Sequence, residues 1–215
     1  MVGRAMGRLL DAVAPRRCAG CAEPAPEVLC ETCVELIVGL PLPPMTRHGN
    51  LICRAALGYV PPVSGVIHRA KYRGCRRAMH LLAAVAAERL APQLLALPRP
   101  DVVVPVPLGR RRQRARGYNQ AEVVARALAG TVGATLATAL RRRRETGTQV
   151  GQHRRERRRN LRGAFVWEGR TLSGLAVWLV DDVVTTGATL VAAAEALQQA
   201  GAARIEAVAV AATAG

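Results

Sequence analysis

Val177-Trp178-Leu179-Val180-Asp181-Asp182-Val183-Val184-Thr185-Thr186-Gly187-Ala188-Thr189 is the stretch that decides the fold. Its four leading apolar residues predict a strand buried on both faces, and two acids arrive at the C-terminal end of that strand. In open α/β sheets, ligands bind outside that end. Small residues and hydroxyls then lead directly into an Ala/Leu-rich segment at 188–200 that reads as a helix. Gly187 permits a tight turn, and the N–H groups and dipole of the helix start suit a phosphate. Two adjacent carboxylates at one rim repel unless they serve a ligand. Hydrogen bonds to vicinal hydroxyls, direct or through a divalent cation, supply that reason. A diol beside a phosphate describes a ribose 5-phosphate.

Outward from this stretch the chain keeps a βα rhythm. Apolar runs at 101–106, 134–139, 176–181 and 204–211 read as strands, and 63–73, 76–96, 118–130 and 188–200 read as helices. The expected class is α/β, a parallel sheet flanked by helices. Residues 141–164 are Arg-rich and without clear periodicity, longer than structureless loops inside compact domains usually are, so they predict a lid or an arm. Residues 1–14 predict a lead-in helix, ended by Pro15. Pro41-Leu42-Pro43-Pro44 reads as a stiff linker. The expected division is therefore 1–45, lead-in helix and ribbon, and 46–215, the α/β domain.

Between these lies Cys18-Ala19-Gly20-Cys21, an eight-residue spacer, and Cys30-Glu31-Thr32-Cys33. Two such turns can wrap four thiolates around one tetrahedral Zn2+. About 20 residues bury too little surface for a core of their own, so metal would supply the folding free energy. With all four positions filled by sulfur, the expected zinc is structural. Cys53 and Cys75 read as buried small hydrophobes, and His48, His68, His80 and His153 show no ligand spacing.

The 215 residues are 50% hydrophobic but only 3% aromatic, which argues against a carbohydrate cleft or a base-stacking platform and for an aliphatic core. No apolar run reaches the roughly 20 residues that span a bilayer, and no signal-like stretch opens the chain. A soluble, cytoplasmic protein is expected. Formal net charge is +16. Residues 46–162, with 24 Arg and Lys71 against five acids, carry +20, so the positive field sits mid-chain and the rest is net −4. Such a field suits a polyanion, either a nucleic acid or a small molecule with several phosphates. Thirty Arg to one Lys also fits a GC-rich genome, for which arginine is the default surface cation.

The 177–189 stretch resembles the phosphoribosyl-pyrophosphate motif of type I phosphoribosyltransferases, with strand, acid pair and Thr-Thr-Gly-x-Thr loop in the required order. The resemblance implies that Asp181 and Asp182 bind ribose hydroxyls and order a Mg2+-diphosphate. It also implies that Thr185, Thr186, Gly187, Ala188 and Thr189 cradle the 5-phosphate. Lys71-Tyr72-Arg73-Gly74, Val104-Pro105-Val106-Pro107-Leu108 with Arg110 to Arg116, Gly117-Tyr118-Asn119-Gln120, and Arg144, Glu145, Thr146, Gln149, Arg154 to Arg157, Asn160 and Gly163-Ala164-Phe165 are similar to the ComF family. That family joins an N-terminal zinc ribbon to a phosphoribosyltransferase domain and is linked to natural competence. Many relatives carry two ribbons in the N-terminal part, whereas here one four-cysteine set is followed there by Cys53 alone.

Phosphoribosyl transfer passes through an oxocarbenium-like ribose as diphosphate leaves, so cations must stabilise the leaving group. The resemblance points to Arg110, Arg116 and Lys71 for this, and to 141–160 as a segment that closes over substrate. Purine-salvage relatives commonly carry an aspartate where this chain has Thr185, and threonine takes no proton at neutral pH. Turnover on an acceptor and simple ligand binding both remain open. A different class of reading makes the chain a non-catalytic accessory that holds single-stranded DNA or a competence helicase, with a vestigial or regulatory phosphoribosyl site. A homodimer is also left open.

Overall fold

A computed structural model of the chain describes residues 16–143, 161 and 163–213. A six-stranded sheet organises it. In chain order the described elements begin with helix α1 (Glu31–Gly39), strands β1 (Thr46–His48) and β2 (Leu51–Gly58), and helices α2 (Val63–Tyr72) and α3 (Arg76–Leu95). Next come β3 (Val102–Pro105), α4 (Arg110–Arg116), α5 (Gln120–Val132), β4 (Thr135–Leu136) and β5 (Leu140–Arg142). Then follow β6 (Phe165–Trp167), β7 (Ala176–Val184), α6 (Ala188–Gln199) and β8 (Arg204–Ala212). The main sheet runs β1-β2-β8-β7-β3-β4, and β5 pairs with β6 as a separate two-stranded ribbon. Every neighbouring pair in the main sheet is parallel except β1 with β2. The class expected from the sequence is the one found.

β7 lies inside the sheet because its run of Val, Trp and Leu can be covered on both faces. On one face Trp178 and Val180 pack with Ile67 of α2, Leu82 of α3 and Leu128 of α5. On the other, Val177 and Leu179 pack with Leu190 and Leu197 of α6 and Leu140 of β5. β8 contributes Ala207, Ala209 and Ala211, all fully buried, and small side chains there let helix and sheet approach closely.

Helices α2, α3, α5 and α6 fall within two residues of their expected bounds. The expected strand at 134–139 shortens to Thr135–Leu136, because β4 is an edge strand with β3 as its partner. The basic turn after β3 is a seven-residue helix, α4, with no buried residue. The ends of the 141–164 segment are not structureless, since Arg141 and Arg142 pair with Val166 and Phe165. The lead-in helix at 1–14 lies outside the described residues, as do Arg144, Glu145, Thr146, Gln149, His153, Arg154 to Arg157 and Asn160.

The cysteine turns sit on the sheet domain through α2 and α3. Arg89 of α3 donates to Val38 O of α1 at 2.7 Å and to Ala56 O of β2 at 3.2 Å. A Cβ on Gly65 of α2 would collide with Gly20 O, so the first cysteine turn and α2 meet backbone to backbone.

Candidate functional site

Asp181 and Asp182 stand near the end of β7, and the turn Thr185–Gly187 carries the chain from that strand into α6. Gly187 has φ +70°, where a side chain is strained, and caps the helix. Val191 N–H bonds back to Gly187 O at 2.9 Å. The N–H groups before it, at Ala188, Thr189 and Leu190, belong to the first turn and have no acceptor one turn back within the helix. Gly187 and Ala188 are buried, Thr186 and Thr189 half-buried, and Thr185 exposed.

The two acids have different partners. Lys71 Nζ, from α2, donates to Asp182 Oδ1 at 2.9 Å, with the two side chains 19% and 10% exposed. Asp181 Oδ1 accepts the Asp182 N–H at 2.8 Å. Loss of water pushes the Asp181 carboxyl up to about 7, and the neighbouring Asp182 carboxylate pushes the same way. The Lys71 ammonium, the Asp182 N–H and the Arg142 guanidinium pull it down without prevailing. Buried Cys53 on β2 is held up to about 12, chiefly by burial and then by the charge of Asp181.

Beyond β3 a basic cleft of about 770 Å3 opens between the loop 105–108, α4 and the β5–β6 ribbon. Arg110, Gln113, Arg141, Arg142 and Arg143 line it, with Glu122 and Glu168 as the acids. Arg141 Nε lies 3.5 Å from Glu168, both exposed. Arg142 also stacks over Phe165 at 5.5 Å and acts electrostatically on Asp181, so it links the cleft to the acid pair. Asn119 shapes the wall. Its amide donates to Val106 O at 3.0 Å and its carbonyl accepts the Ala121 N–H at 3.2 Å, capping α5.

Of the residues expected to hold a substrate, Asp181, Asp182, Lys71 and Thr185–Thr189 cluster at the end of β7, and Arg110 lines the adjoining cleft. Arg116 packs beside the end of α2. It donates to Gln120 Oε1 at 3.1 Å and lies over the Tyr72 ring at 5.3 Å. His48, given no chemistry from the sequence, lies against the phosphate-type turn, for a Cβ on Gly187 would run into its ring. Thr46 Oγ1 and His48 Nε2 are 3.1 Å apart. Nothing in the spacing of His48 reveals this, since β1 reaches the turn only through folding.

The four cysteine sulfurs at Cys18, Cys21, Cys30 and Cys33 all lie within 4.8 Å of one another, and Cys21 and Cys30 are 3.8 Å apart. Sulfurs at about 2.3 Å around a tetrahedral zinc are about 3.8 Å apart, so the set fits one such ion. Burial raises the Cys18 thiol, but backbone donors including the Cys30 and Gly20 N–H groups at 3.3 Å bring it down to about 6. Burial and the three neighbouring sulfurs push Cys33 up, the repulsion a cation at the centre would relieve.

Known proteins are similar to this chain in sequence. A family model described as the phosphoribosyl transferase domain matches residues 80–214. DNA utilization protein YhgH of Salmonella typhi is 38% identical over 154 residues, covering 69% of this chain and 66%, just under two thirds, of that relative. Its namesake in Shigella flexneri is 33% identical over 196 residues, with 84% and 82% covered. Competence protein F of Haemophilus influenzae is 35% identical over 142 residues, with 61% and 60% covered. The chain belongs to the phosphoribosyl transferase domain family. Within it, these relatives and the four-cysteine cluster make it a member of the ComF family. Among the described residues no helix is long and apolar enough to cross a membrane.

Proposed function

We propose that the chain binds phosphoribosyl pyrophosphate with Mg2+ at the end of β7, on a phosphoribosyltransferase domain that carries a structural zinc ribbon and acts in DNA uptake. The observation that carries this reading is the passage of the acid pair, through a hydroxyl-rich turn, into an open helix N-terminus. Asp181 and Asp182 would accept hydrogen bonds from the ribose hydroxyls, and the N–H groups of Thr185–Thr189 would hold the 5-phosphate. Asp181 and Asp182 would also order Mg2+ with the diphosphate, and the ion would supply charge neutralisation there. Arg110, Arg142 and Arg143 would stabilise the leaving diphosphate in the cleft, where partial exclusion of water strengthens them. Thr185–Thr189 offers no base at neutral pH, so transfer requires either an acceptor already deprotonated or a base outside the turn.

Calorimetry with phosphoribosyl pyrophosphate and Mg2+ tests this. Binding is expected, and Asp181→Asn with Asp182→Asn is expected to abolish it, whereas no heat with the parent protein rejects the reading. Metal analysis should find about one zinc per chain from the four-ligand set, and Cys30→Ser should release it.

A second reading, single-stranded DNA binding, draws on the outward cations of α4, none of which is buried. It predicts an affinity that falls steeply with salt, because phosphate contacts release counterions. A flat salt response removes it. The relatives' names attach DNA utilization and competence to those proteins; a role of this chain in DNA uptake, its cytoplasmic location and a helicase partner are proposed from them.

A further inference from the structure

One helix joins the cysteine turns to the acid pair. At the start of α2, Gly65 touches the Gly20 backbone so closely that neither position admits a larger residue without displacement; a Cβ on Gly20 would meet Cys33 Sγ at 2.7 Å and Pro62 Cβ at 2.8 Å. One turn on, Arg69 Nη1 donates to Ala19 O at 2.8 Å and to Gly20 O at 3.2 Å. Two residues later Lys71 reaches Asp182. Tyr118 Oη donates to Ala70 O at 2.8 Å and holds the end of the helix against the loop before α5.

A lysine stem has four rotatable bonds, and an ion pair built on it costs the entropy of holding them. That cost falls when the backbone beneath is fixed. Here α2 is fixed at its start by carbonyls that belong to the cysteine turn. That turn is too small to stay ordered on buried surface alone, so its carbonyls stay in place only while the four sulfurs are gathered.

We propose that Lys71 is a positioning residue that aims the Asp182 carboxylate at a ribose hydroxyl, and that docking of the cysteine turn on α2 sets where Lys71 stands. A metal-loaded ribbon then binds phosphoribosyl ligands more tightly than an emptied one. The inference rests on the phosphoribosyl reading of the site and adds a coupling between its two halves.

Calorimetry on the full chain with phosphoribosyl pyrophosphate and Mg2+ provides the test. Lys71→Met is expected to lose about tenfold in affinity, as for one charge-assisted hydrogen bond, and Lys71→Arg to recover most of it. Arg69→Gln, remote from the ligand, is expected to lose about three- to tenfold. In the Lys71→Met background it should lose nothing further, because both act through one ion pair. Parent protein stripped of zinc, with the chelator dialysed away before Mg2+ is added, should lose as much as Arg69→Gln and repeats the comparison without a substitution. Full affinity in Arg69→Gln and in the stripped parent overturns the coupling. So does an equal loss in both backgrounds, which a merely structural role would give. A parent that binds no ligand rejects the phosphoribosyl reading itself, whereas a parent that binds while Arg69→Gln is neutral rejects only the coupling.

Discussion

Asp181 carries a carboxyl held up to about 7 against an ordinary 3.8. The folded state therefore takes its proton more readily than the unfolded chain. The stability this contributes is complete below about 3.8 and is lost as pH rises through about 7. Asp181→Asn removes a titrating group of that sign. Metal-free denaturation curves between pH 4 and 8 should show a smaller decline in the variant than in the parent; parallel curves would refute the assignment. Gly187 makes a second residue-scale case. Gly187→Ala places a side chain at φ +70° and into the His48 ring, which should cost about 1–3 kcal/mol. Chemical denaturation measures the loss, and the phosphate binding proposed for the turn should weaken with it. The glycine was legible in the sequence as a turn residue, but its neighbour was not. His48 is far away along the chain and lies beside the turn only because β1 folds back on β2.

Elements were legible where their residues answer to local rules. β3, β7 and β8 are apolar runs covered on both faces, and α5 announces itself with Asn119 before it and Gly133 after it, the cap residues such ends favour. β2 was not legible. Arg54 interrupts its apolar run, and that charge is tolerated at 8% exposure because Glu206 on β8 answers it, a partner 152 residues away. α4 escaped for the opposite reason: Arg110–Arg116 has no apolar stripe, and its ends are marked by Gly109 and Gly117 at the cap positions. The acid pair and hydroxyl turn were read in full from one stretch, whereas the basic cleft needed β5 and β6 brought together across residues outside the described set. The strength of β7 is itself testable. Trp178 is 1% exposed and faces α2, α3 and α5. Trp178→Ala should cost about 3–5 kcal/mol in urea unfolding, with ligand affinity at the strand's end falling in step.

At the scale of the molecule, the site is assembled from parts with unequal anchoring. The acids and the phosphate-type turn are built on the central strand and its following helix, whereas the arginines of the cleft ride on a surface helix and a two-stranded ribbon. Under the proposed function, a rigid grip on the sugar phosphate beside a wall carried on surface elements would suit a protein that holds one group firmly while admitting a second. The order of the strands adds a constraint in time. β2 is made early, yet its parallel partner is β8, the last described strand, with Cys53–Gly58 lying along Ala207–Ala212. While the ribosome is still translating the middle of the chain, that early strand has an unclaimed edge toward the centre of the future sheet. Pairing over such a separation is slow, and waiting edges invite aggregation. Ribosome-bound chains halted before Arg204 should therefore be cut readily by protease within β2, and chains released past Thr213 should become resistant together across the described strands of the main sheet. Growth rates that slow translation, or a chaperone that shields open sheet edges, would then alter the yield of this protein.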